Sequence, residues 1–201
     1  EQVRLLKSRK FAIPIRPVES WVTLKDIFIS TVRAVRGSIR RFEPAEPVEL
    51  DGIDLRDLIC SYVREARRSG DYFLNLLMFY CGRSLGRSIN VEKCLYPYEN
   101  RAWEKSFMQG LRSSSPGTKV VGYQHASVAP IHANFFLGEG EASVIPLPDQ
   151  ILTTGEVVQE WLENVGNYPD GLFKTACALR QSAPASGTPK ERRGKTSRVL
   201  V

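Results

Sequence analysis

Between Val91 and Asn164, short apolar runs alternate with helical patterns. Val91–Tyr96, Lys119–Tyr123 and Gln150–Thr153 read as strands, and Arg101–Leu111 and Glu156–Asn164 read as helices. No other feature constrains the fold as strongly. Strands joined by connections of this length pair in parallel through right-handed crossovers, because a tight hairpin cannot return the chain to the same end of a sheet. The expectation is an α/β fold, a Rossmann-like parallel sheet flanked by helices. Such a sheet gathers the residues that follow its strands on one rim, where ligands bind. The rim segments are Tyr96-Pro97-Tyr98-Glu99-Asn100, Gln124-His125-Ala126-Ser127 and Thr154-Gly155-Glu156.

Upstream, Leu24, Ile27, Phe28, Thr31, Val32 and Val35 recur at helical spacing, with Thr23 placed to cap and Arg33, Arg36, Arg40 and Arg41 toward the end. Cations there suit the helix dipole, and a membrane surface or acidic partner is their other use. Residues 43–54 form a Pro-rich, acidic connector. The pattern from Asp54 to Arg68 predicts a second helix, and Asp71 to Gly82, apolar nearly all round, a buried third. Gly166–Arg180 reads as a loop leading to a last helix or strand. Ser182–Ser197 is a polar linker ahead of a Val199–Val201 strand stub. Three parts are expected: a helical N-terminal arm with its connector over 1–50, the α/β domain over 51–181, and a linker with the first strand of a missing C-terminal domain over 182–201.

With 201 residues, 42% of them hydrophobic, the chain is long enough for a real core, so disorder and coiled coil are excluded for the whole. No apolar run nears the ~20 residues that span a bilayer, and the first residues lack a signal-peptide core. The expected location is cytoplasmic, with peripheral contact at the inner membrane through the basic helix end. Four scattered cysteines give neither a zinc module nor a disulfide framework. A net charge of +6 favours polyanionic partners. Nucleic acid is not expected, because the basic tail from Lys190 to Arg198 lacks interleaved aromatics and any helix-turn-helix, RRM or OB signature.

Among the rim residues, Glu99 is the only acid of the first segment, and a carboxylate in a cleft can serve as a general base. Glu99 or Asn100 could instead cap the next helix. Glu104 and Lys105, one turn further, read as a solvated helical face. His125 follows a strand end in which Gly122 allows close backbone approach, and its imidazole suits phosphate binding, carboxylate orientation or proton transfer. His132 belongs to a long loop. The two histidines have no helical spacing and no third acidic ligand, so no metal site is expected. Gly82-Arg83-Ser84-Leu85-Gly86 has the G-x-S-x-G form of a nucleophile elbow but lacks the strand before and helix after it. No phosphate-binding glycine loop follows a strand, and Gly138-Glu139-Gly140-Glu141 carries acids where phosphate needs amides.

Three blocks, Tyr96-Pro97-Tyr98-Glu99-Asn100-Arg101-Ala102-Trp103-Glu104-Lys105, Gly122-Tyr123-Gln124-His125 and Pro148-Asp149-Gln150-Ile151-Leu152-Thr153-Thr154-Gly155, occur in this order. With Tyr168-Pro169 and Ala178-Leu179-Arg180, they resemble bacterial surface-carbohydrate biosynthesis proteins of the GT-B glycosyltransferase type, which build O-antigen, lipopolysaccharide and other polysaccharides. The resemblance covers roughly Val91 to Arg180. It implies one half of a two-domain GT-B architecture, the acceptor-side domain, with a nucleotide-sugar donor held mostly by the missing C-terminal domain. It further implies a saccharide or lipid-linked acceptor and metal-independent transfer with no cofactor. Glu99 would be the base, with His125 and Gln124 positioning the acceptor or the donor phosphate. Tyr98, Asn100, Ser127, Thr154 and Gly155 would line the substrate site. The piece alone is expected to be inactive. An epimerase of the same architecture and a noncatalytic basic α/β binding module are the alternatives.

Overall fold

Thr23 sets the start of the first helix, α1 (Leu24–Ile39), through a reciprocal capping box with Asp26. The Thr23 hydroxyl accepts from the Asp26 amide at 3.2 Å, and the Asp26 carboxylate accepts from the Thr23 amide at 2.9 Å. The computed structural model describes residues 16–45 and 47–176. The face that α1 turns inward is made of small residues. Ser30 is fully buried, and a Cβ on Gly37 would sit 2.7 Å from the Tyr72 ring. Of the periodic apolar residues, Leu24, Ile27, Phe28 and Val35 are exposed and Val32 is half-buried, the reverse of what an amphipathic helix on a core predicts.

The connector contains a small hairpin, β1 (Glu49–Leu50) with β2 (Ile53–Asp54). Its two-residue turn is Asp51-Gly52, with φ of 52° and 78°, the doubly left-handed turn that matches strand twist and that Asp-Gly favours. Helix α2 (Arg56–Arg68) ends at Ser69, whose extended ψ of 151° breaks the helix before α3 (Gly70–Ser88).

Helix α3 runs well past the expected Gly82 and takes the whole Gly82-Arg83-Ser84-Leu85-Gly86 segment into its interior. The glycines there serve packing. A Cβ on Gly82 would lie 2.1 Å from the Phe107 carbonyl oxygen, and one on Gly110 would lie 1.9 Å from that of Phe79. The backbones of α3 and α4 (Ala102–Ser114) touch through this glycine pair.

Four strands form one parallel sheet in the order β3 (Lys93–Pro97), β4 (Lys119–Tyr123), β5 (Gln150–Thr153), β6 (Phe173–Thr175). Helix α4 joins β3 to β4, and α5 (Glu156–Val165) joins β5 to β6. A loop with two short 3-10 turns links β4 to β5. Alternation along the strands buries one face: Cys94, Tyr96, Val120, Ile151 and Phe173 join Leu85, Met108, Leu111 and Leu162 in a continuous core. Lys93, Lys119 and Lys174 on the alternate positions are exposed. The open expectation for Gly166–Arg180 resolves into β6 over its described part. The 182–201 linker, its Val199–Val201 stub, the basic tail and Cys177–Arg180 lie outside the described residues. Among the described residues, no helix is long and apolar enough to cross a membrane.

Candidate functional site

Past β3 the chain makes one more sheet-like bond, from the Tyr98 amide to the Tyr123 carbonyl at 2.8 Å, and then turns sharply. Asn100 adopts a left-handed φ of 56°, which asparagine tolerates better than most residues. The turn is built around Glu104. That residue stands three positions after Arg101, the N-cap of α4, from which a glutamate reaches back toward preceding amides. Its two carboxylate oxygens accept from the Glu99 amide at 3.1 and 3.2 Å. Glu104 is only 2% exposed, so the expected solvated face is overturned. Burial pushes its carboxyl up to about 7, while the amides of Glu99, Arg101 and Asn100 pull it down and the Glu99 charge adds to the rise.

Neither Glu99 nor Asn100 caps α4, because the N-cap is Arg101 and it makes no side-chain cap bond. Asn100, largely buried, donates instead to the Asn134 carbonyl at 2.7 Å, and the Asn134 amide group donates back to the Glu99 carbonyl. This reciprocal pair stitches the first rim loop to the β4–β5 loop. Nothing in the sequence marks Asn134, since an asparagine in a long loop carries no spacing signal. Gln124 is also fully buried. Its Oε1 accepts from the Thr154 amide and hydroxyl at 3.1 Å each, and its Nε2 donates to the Ala126 carbonyl. It is a strut between the second and third rim loops.

Tyr98 lies in the core rather than on the rim, with 1% exposure and its hydroxyl 2.9 Å from that of Tyr168. A Cβ on Gly122 would come within 2.9 Å of the Tyr98 Cβ, so the glycine in β4 is what admits the ring. Burial pushes both Tyr96 and Tyr98 upward and raises Tyr168 to about 12.

On this frame the rim brings three functional groups together. Glu99 Oε2 accepts from Arg101 Nε at 2.8 Å, and Glu99 Oε1 lies 3.8 Å from His125 Nε2. The side chains of Glu99 and His125 are 33% and 30% exposed, open enough to meet a ligand and fixed enough to hold an orientation. The inner His125 Nδ1 is buried without a hydrogen-bond partner, and the outer Nε2 is the nitrogen that faces Glu99. Thr154 and Gly155 are half-buried, next to Gln124 and at the amide end of α5, whereas Ser127 is exposed. His132 is exposed, apart from this group, with its Nδ1 accepting from the Ala129 amide at 3.3 Å.

Among the described residues, no cluster of three or more His, Cys, Asp or Glu is arranged to hold a metal ion. The Cys81 thiol donates to the Val18 carbonyl at 3.7 Å, and burial pushes the Cys94 thiol up to about 11, away from thiolate chemistry. The rim can therefore offer a carboxylate as proton acceptor, a guanidinium and an imidazole as donors, and a helix N-terminus for negative charge. No family model, curated protein or solved structure matches the chain significantly.

Proposed function

We propose that the chain is the acceptor-side domain of a glycosyltransferase of the GT-B type, moving a sugar from a nucleotide-sugar donor to a saccharide or lipid-linked acceptor. The observation that carries this reading is the approach of Glu99 to His125 at the C-terminal end of a parallel sheet, two groups 26 positions apart in the sequence. In the proposed step, Glu99 Oε1 takes the proton of an acceptor hydroxyl. The oxygen forms its bond to the anomeric carbon as the bond to the donor phosphate breaks, and the departing phosphate keeps the electron pair. Arg101 and His125 hold the carboxylate from either side. Thr154, Gly155 and the amide end of α5 offer neutralising partners for phosphate. Gln124 and Asn100 are positioning residues in this scheme, since their polar groups are spent on holding the three rim loops together. The donor half would lie in a second α/β domain.

Nucleotide release from a panel of sugar nucleotides, with and without a lipid-linked saccharide, tests the reading on the full protein. Acceptor-dependent release is expected, with kcat lowered about 10²- to 10³-fold by Glu99→Gln and the donor KM little changed. Interconversion of donor sugars without an acceptor would assign an epimerase instead. Absence of both binding and turnover would remove the enzyme reading in favour of a basic binding module.

A further inference from the structure

Helix α1 presents an apolar ridge to solvent. Leu24, Phe28, Val32, Val35 and Ile39 follow one another at steps of four, four, three and four residues, which places them on a single stripe about 24 Å long. Leu24 is 84% exposed, Phe28 69%, Val35 55% and Ile39 76%. The opposite face, Ser30, Ala34 and Gly37, is the one packed against the protein, so this exposure is a consequence of how α1 docks. Val32, midway along, is half-buried, and an apolar ridge of this length with four exposed members marks a surface that something covers.

Charge decides between occupants. Lys25 and Arg36 lie along one flank of the ridge, and Arg40 and Arg41 follow directly after its end, all exposed. The only acid on α1, Asp26, is committed to the capping box with Thr23. Beside the ridge opens a cleft of about 480 Å³ lined by Val35, Ser38, Arg67, Arg68 and Phe73, which joins an apolar wall to two guanidinium groups. Arg67 is anchored there, donating to the Arg40 carbonyl at 3.3 Å and lying over the Phe42 ring. A second copy of the chain laid along the ridge would bring cationic flank against cationic flank. A surface of lipid phosphates supplies the opposite charge together with an apolar layer to receive the ridge.

We propose that α1 is an interfacial helix that lays its Leu24–Ile39 ridge into the headgroup–acyl boundary of an anionic bilayer, with Lys25, Arg36, Arg40 and Arg41 against lipid phosphates. The proposal rests on α1 alone and not on the transfer reading. It orients the molecule with α1 flat on the membrane rather than across it.

Flotation with phosphatidylcholine vesicles, with and without about a third phosphatidylglycerol, tests it on the whole chain. The chain is expected to float with the anionic vesicles and not with the neutral ones. The pair Leu24→Ser and Phe28→Ser lowers the vesicle affinity at least about tenfold, and the pair Arg36→Glu and Arg40→Glu removes the preference for anionic lipid. All four side chains are exposed, so circular dichroism and melting should remain those of the parent. Failure to float with anionic vesicles, or equal flotation by both pairs, would overturn the proposal. So would concentration-dependent self-association abolished by the Leu24/Phe28 pair, which would assign the ridge to a second copy. Vesicle binding is read without any sugar nucleotide, so its failure leaves the transfer reading to its own assay.

Discussion

Glu104 places a carboxylate where water does not reach, and the first rim turn folds around it. In an unfolded chain the carboxyl titrates near 4.5, and in the fold burial raises it to about 7. Below pH 4.5 both states hold the proton, and burial of the neutral acid carries no charge penalty. As pH rises between the two values the unfolded chain loses its proton first, so folding becomes progressively less favourable. Above pH 7 the full penalty, about 3 kcal/mol, is in place. Urea unfolding across this range, compared with Glu104→Gln, is expected to show the parent losing about that much stability relative to the variant as pH rises from 4.5 to 7. Groups common to both proteins cancel in the difference. A pH-independent difference would mean that Glu104 titrates outside this window. The same bonds from Glu104 to the Glu99 amide fix the backbone from which the proposed base projects, so the variant is also expected to loosen the 3.8 Å approach of Glu99 to His125.

At the level of elements, α3 and α4 meet backbone to backbone through Gly82 and Gly110. Two glycines facing opposite carbonyls leave no room for a methyl group, and neither carbonyl belongs to a flexible side chain that could yield. Gly110→Ala is therefore expected to cost about 3 kcal/mol, seen as a lower urea midpoint at unchanged slope. Gly117→Ala is the control, because nothing lies within 4 Å of a Cβ there and its effect should stay within about 0.5 kcal/mol. An unchanged midpoint for Gly110→Ala would show that the helices slide apart at little cost.

The strands at Lys119–Tyr123 and Gln150–Thr153 were legible to the residue because each is a short apolar run bounded by turn chemistry. The length of α3 was not, since Gly82 and Gly86 read locally as breakers and only the neighbouring helix explains them. The hairpin at Asp51-Gly52 carried its signal in the Asp-Gly pair, masked by the prolines before it. Glu104 too had a readable sign: Met108 and Leu111 follow it by four and seven residues, so it shares their buried stripe. The pattern of α1 showed that an apolar face exists but could not show which way it points, because the docking face is defined by the absence of large side chains.

Across the whole molecule, these differences in packing predict an order of opening. The large core side chains come from the sheet, α3, α4, α5 and the loops that join them, whereas α1 adds small residues and keeps most of its apolar mass outside. Little apolar area is lost when α1 detaches, so the free energy of that opening is well below that of global unfolding. Native-state hydrogen exchange is expected to find α1 amides exchanging about a hundredfold faster than those of β4 and β5, with α3 and α4 grouped with the strands. The glycine-paired contact of α3 and α4 ties that helix pair to the sheet, so destabilising it should speed exchange in the strands without changing α1 much. Equal protection of α1 and the central strands would show instead that the arm and the sheet open as one unit. A loosely held helix with its apolar residues already turned outward can change what it faces without disturbing the rim, and anionic vesicles should then slow α1 exchange selectively while β4 and β5 keep their rates.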